Sequence, residues 1–278
     1  MSPCPSRLSF HVMTHTPQKI PISQRPPLHR SGDPAVIFPR NWIEQEDEQA
    51  LGIQLMCDRK LFGLCYLNLA GNYFWEMPRN SGVFVAGFVP SSDIVDHLTF
   101  PGDIDFLIIP YEDDKLVVSR TMAVELKIVR ASYDNQGKSP NRFGFSQAQS
   151  LLDKGFSFVS VIHLFISDDS PEDAWRDVQM VRIVEPETGE AEFAGEEKAD
   201  LMPADLIERG FGRLKANRPN ENIGVVSAYL SKRHRWQPMG RPSLRNSETS
   251  HEILEAVGDY YHANYKCFMD MPRYDPDP

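Results

Sequence analysis

The sequence predicts an α/β fold: a mixed central β-sheet flanked by helices, followed by a less regular C-terminal extension. Three observations carry this. Ile104–Pro110 (IDFLIIP) and Leu116–Val129 (LVVSRTMAVELKIV) are consecutive apolar stretches separated by a polar turn at Tyr111–Lys115, the pattern of two adjacent strands. Phe156–Ser167 (FSFVSVIHLFIS) is nearly continuous in apolar residues, as a strand covered on both faces and paired in parallel requires. Between them Ser146–Lys154 (SQAQSLLDK) has helical spacing, with Gly155 as its stop. A helix–strand crossover of that kind makes a mixed sheet with helices on its faces.

The elements follow in order. Residues 1–39 are rich in Pro, Ser and His and read as an irregular or disordered arm. Arg7, Lys19, Arg25 and Arg30 against the lone acid Asp33 would let that arm touch nucleic acid. Asn41 is placed to cap a helix over Trp42–Phe62, whose first turns hold Glu44, Glu46, Asp47 and Glu48 at the positive end of the helix dipole. Gly82–Val89 reads as a short strand or an insertion, and Ser92–Leu98 as a helical turn capped by Ser92. The second apolar strand is expected to bend at Ser119–Thr121, and Ser132–Arg142 forms a polar loop. Beyond the core at residues 40–170, the extension at 171–278 contributes strands at Val178–Val184 and Ile223–Leu230. It also contributes helices at Pro203–Lys215 and His251–Phe268, and it packs on the core or meets a partner.

Composition bounds the function. No apolar run reaches the roughly 18–20 residues of a membrane span, and the N-terminus lacks an apolar signal core. A cytoplasmic protein without a membrane partner is expected. Cys4, Cys57, Cys65 and Cys267 form neither a C-x-x-C pair nor a zinc pattern with histidines. The net charge of −10 argues against a protein that coats nucleic acid, since phosphate binding is driven by Lys and Arg. Charge is nonetheless local. Asp168–Asp200 holds twelve acidic and three basic residues, whereas Lys232, Arg233 and Arg235 cluster beside Trp236, suited to gripping phosphates and stacking a base. Signatures of P-loop ATPases and serine hydrolases are absent.

One constellation carries chemistry. In Val124-Glu125-Leu126-Lys127-Ile128, strand alternation puts Glu125 and Lys127 on one face and the apolar residues on the other. A carboxylate and an ammonium inside an apolar strand are costly unless paired or bound to a metal. Asp103 and Asp105 open the preceding strand, and in a hairpin Asp105 comes near Glu125. A divalent cation removes the repulsion between two such carboxylates and takes their oxygens as ligands. A water on that cation can attack a phosphodiester, and the lysine adds compact positive charge beside it.

These residues resemble the PD-(D/E)XK nuclease superfamily. The likeness rests on Asp105 in GDIDFLIIP and on Glu125-Leu126-Lys127 in AVELKIV, within Trp42–Ser167. It implies a restriction-endonuclease-like core in which Asp105, Glu125 and the Leu126 carbonyl bind Mg²⁺ (or Mn²⁺), with Lys127 assisting the attacking water. It also implies an acid from the first helix, Glu48 or Glu44, and a glutamine from the following helix, Gln147 or, preferred, Gln149. Ile104 stands where the family has proline, and Asp103 rivals Asp105. Glu-X-Lys alone is a weak motif. Its second copy, Glu196-Glu197-Lys198, sits in a charged stretch without strand character and reads as solvated surface. His163 reads as a satisfied core histidine. The expected activity is hydrolysis of DNA, in a setting such as bacterial defence or restriction. The alternative is an inactive nuclease-like subunit that binds a protein partner such as a helicase or ATPase, or nucleic acid. A homodimer is compatible with either.

Overall fold

The computed structural model describes residues 18–27, 48–95, 102–140, 142–231 and 236–274. Its centre is a mixed sheet, as the apolar stretches predict. In chain order the elements begin with β1 (Ile20–Pro21), α1 (Glu48–Cys57), α2 (Arg59–Ala70), α3 (Asn72–Glu76) and β2 (Ser81–Pro90). Next come β3 (Asp103–Glu112), β4 (Lys115–Leu116), β5 (Met122–Arg130), α4 (Phe145–Asp153) and β6 (Phe158–Ile166). The chain continues with β7 (Arg176–Glu185), β8 (Glu190–Ala199), α5 (Met202–Asn217) and β9 (Ile223–Tyr229). It closes with β10 (Met239–Arg241), α6 (His251–Asn264) and β11 (Met269–Pro272).

β3 pairs antiparallel with β2 along its length and with the start of β5. β6 lies parallel between β5 and β9, so its side chains are buried on both faces, which is why its sequence shows no polar alternation. On one face Leu55, Phe62 and Tyr66 of α1 and α2 pack on Val85, Phe106, Val124 and Ile162. On the other, Leu151 of α4, Leu214 of α5 and Tyr261 of α6 pack on Phe84, Leu107, Val159 and Val225.

Several expectations change in detail. The helix expected over Trp42–Phe62 is broken, because the Asp58 carboxylate accepts from Leu61 N–H and caps a new helix. Asn41, Glu44 and the rest of 28–47 lie outside the described residues. The bend at Ser119–Thr121 exists as a short 3₁₀ turn, Val118–Arg120, between β4 and β5. Of the turn expected over Ser92–Leu98, Ser91–Asp93 is a 3₁₀ turn, and 96–101 lie outside the described residues. The N-terminal arm is in part structured, since Ile20 pairs with Leu116 and Lys19 forms an ion pair with Glu112. The sheet also passes the boundary drawn at 170, because β9 extends it beside β6. The last helix stops at Asn264, and the chain returns as β11 along β2, Met269 opposite Val85. Glu196–Lys198 lies in a strand after all, but an exposed one of the separate hairpin β7–β8.

Candidate functional site

The site forms where β3 and β5 part. Their register sets Phe106 opposite Val124 and Leu107 opposite Ala123. One further step sets Asp105 opposite Glu125 on the same face. There the Asp105 side chain takes over from the ladder: its Oδ2 accepts from Leu126 N–H at 2.6 Å. A strand N–H left without its backbone partner needs an acceptor, and a carboxylate makes the stronger, charge-assisted kind. Asp103, the rival, opens β3 at an exposed position opposite Pro90.

Glu125 is 1% exposed, and its Oε1 lies 2.7 Å from Lys127 Nζ. Lys127 Nζ also lies 3.4 Å from Glu48 Oε1, at the first residue of α1. Glu48, rather than Glu44, is therefore the described first-helix acid at the site. Leu126 points the other way into the core, as strand alternation requires. The approach to α4 closes the site from the sheet face. Gly144 has φ +81°, and a Cβ there would sit 2.9 Å from Glu125 Cγ and 3.4 Å from Lys127 Cγ. Only glycine lets the backbone pass so close in that conformation.

The electrostatics follow from burial. Burial and the neighbouring Glu125 push the Asp105 carboxyl well above its ordinary value, while the Leu126 N–H and Lys127 pull the other way. Burial also raises Glu125. Lys127 opposes the rise, and Glu48 and Asp103 add to it. Burial alone would lower Lys127, but Glu125, Glu48 and Asp105 outweigh it and keep the ammonium charged. His163, in register with Lys127 on the parallel strand, is 1% exposed and stacks on Phe143. Its Nε2 is bonded to the Phe143 carbonyl at 3.2 Å, and burial lowers its pKa to about 4, so it is a neutral wall residue.

Among the described residues no group of three or more His, Cys, Asp or Glu is arranged to hold a metal ion. Any metal here would thus rest on two carboxylates and a backbone carbonyl. That all-oxygen set suits magnesium or manganese. Two carboxyl groups held high by burial and crowding are also what an added cation would relieve.

Sequence reasoning missed the cleft beside the site, about 400 Å³, lined by Glu48, Lys127, Arg130, Lys138 and Arg142. The loop that carries Lys138 is tied to α5. Arg213 donates to the Gly137 and Lys138 carbonyls at 2.9 and 3.0 Å, and Arg209 donates to the Gln136 side chain at 2.6 Å. The signal for the cleft is the pair of bases within Ser132–Arg142, a segment whose spacing shows only a polar loop.

No family model, curated protein or solved structure matches this chain.

One expected contributor is not brought to the site, and another lies outside the described residues. The Gln149 amide donates to Asp153 Oδ1 at 2.7 Å and its carbonyl accepts from Asn220 at 3.2 Å, because its place on α4 turns it toward the loop before β9. Lys232, Arg233 and Arg235 lie outside the described residues. Their neighbour Trp236 is half-buried against the cluster of Val129, Phe165 and Tyr229 rather than presented to a base. No helix of the described residues is long and apolar enough to cross a membrane.

Proposed function

We propose that this chain is a Mg²⁺-dependent nuclease, with Mn²⁺ as a substitute, that hydrolyses phosphodiester bonds of DNA. The observation that carries the reading is the convergence at one strand divergence of Asp105, bonded to Leu126 N–H, and Glu125, paired with Lys127 at 2.7 Å. Asp105, Glu125 and the Leu126 carbonyl would hold the cation. When bound it supplies a water of lowered pKa and neutralises charge growing on the phosphate.

The chain's own residues have distinct tasks. Lys127 keeps its proton and places a compact positive charge between Glu125 and the open cleft, where it orients the attacking water and faces the scissile phosphate. Glu48, half-exposed at the mouth, holds the ammonium from the other side. Arg130, Lys138 and Arg142 offer positive charge to flanking phosphates. His163 and Gly144 keep the sheet side of the site closed and add no charge.

The test is cleavage of plasmid DNA by the purified chain with Mg²⁺ or Mn²⁺. Cutting is expected to vanish with EDTA and to fall at least about 100-fold in Asp105→Asn, the order seen when one group that stabilises transition-state charge is removed. Cutting that survives both would contradict the proposal. The second reading, a silent nuclease-like subunit that binds a partner, draws on the exposed acidic hairpin β7–β8. It predicts no cleavage under any of these conditions.

A further inference from the structure

Five of the exposed large apolar side chains among the described residues lie on one element, the hairpin β7–β8: Met180, Val181, Ile183, Val184 and Phe193. The pairs Val181–Phe193 and Ile183–Ala191 put Val181, Ile183 and Phe193, each more than 60% exposed, on one face. The two strands pair only with each other among the described residues. An isolated two-stranded hairpin is marginal in water, and an apolar face of this kind marks a contact surface. Its surroundings are acidic, with seven Asp or Glu against three Lys or Arg over residues 176–199.

The same chain carries a surface of the opposite character. A groove of about 970 Å³ beside α2 and β11 is lined by Phe62, Tyr66, Leu67, Phe74, Met77 and Met271. Its rim is basic, with Arg59, Lys60 and Arg273. Arg59 and Arg273 are fixed there by donating to the Pro272 and Met77 carbonyls. Asp58, also at the rim, is engaged in capping α2.

We propose that the chain binds a second copy of itself, with the apolar tip of each β7–β8 hairpin seated in the base-rimmed groove of the other. Charge decides the arrangement. Two hairpins laid face to face would set like charges against each other, whereas an acid-rimmed knob meets a base-rimmed groove favourably. Reciprocal exchange closes the pair on a two-fold axis.

The experiment is sedimentation velocity on the full chain across micromolar concentrations, with far-UV circular dichroism to verify folding. Wild type is expected to dimerise, less so at high salt. Phe193→Asp and Lys60→Glu, both at exposed positions, are each expected to be monomeric. Mixing those two variants restores association, because one intact hairpin still meets one intact groove across the mixed pair. Val181→Asp serves as the second hairpin variant. A monomeric wild type, a dimer indifferent to Phe193→Asp and Val181→Asp, or a mixture that stays monomeric would each overturn the proposal. A monomeric wild type would leave the hairpin to a different, basic partner protein.

Discussion

At Glu125 and Lys127 the reading of the residues and the geometry coincide, because alternation along a strand admits one outcome. Asp105 adds a thermodynamic consequence. Its carboxyl is held well above the ordinary value, so the folded state favours the protonated form. Such a group contributes stability that is present below its unfolded pKa, roughly 3.9, and lost as pH rises through the higher folded value. Asp105→Asn, which can still accept from Leu126 N–H, is therefore expected to be more stable than wild type without divalent ions. The gap should widen in thermal melts as pH rises above about 4. A variant less stable at every pH would contradict a carboxyl held high by burial and Glu125. His163 behaves in the opposite sense. Its folded pKa of about 4 lies below the usual value of 6.5, so its contribution is present above about pH 6.5 and lost as pH falls toward 4. His163→Gln should flatten the fall in urea stability between pH 7 and 5 by about 2 kcal/mol, an unchanged slope being the adverse result.

At the scale of elements, the strands of the site were legible because their patterns are local. The bend before β5 shows in Ser119–Thr121, and the parallel placement of β6 shows in its unbroken apolar run. What escaped depends on chain returning from a distance. β11 is four residues long and takes its place by pairing with β2, as β1 does by pairing with β4. Helical spacing alone does not fix which side of α4 meets the site, so it does not turn Gln149 away, and the role of Gly144 lies in a backbone angle that no residue pattern displays. Gly144→Ala is expected to cost about 1–2 kcal/mol for the left-handed conformation. It should also depress cleavage, since the added methyl crowds Glu125. Gly137→Ala in the same loop, with nothing within 4 Å of the added Cβ, is the neutral control. Equal melting temperatures and equal rates for the two would remove Gly144 from the account.

For the whole molecule, the acidic balance of the chain and a base-lined cleft beside the site are compatible because charge is segregated. The acids concentrate on β7–β8, while Lys127, Arg130, Lys138 and Arg142 gather at the cleft. The cleft assembles from α1, β5 and a loop pinned by α5, elements spread over the chain, so its positive character is visible only once the sheet is formed. The central claim is that this assembled site cuts DNA through Asp105, Glu125 and Lys127. Its most direct test is the single-turnover rate of plasmid cleavage in Mg²⁺ for wild type, Glu125→Ala and Lys127→Ala, prepared alike and matched by circular dichroism. The account predicts cleavage by wild type and losses of at least about 100-fold in both variants. Equal rates for all three would contradict it.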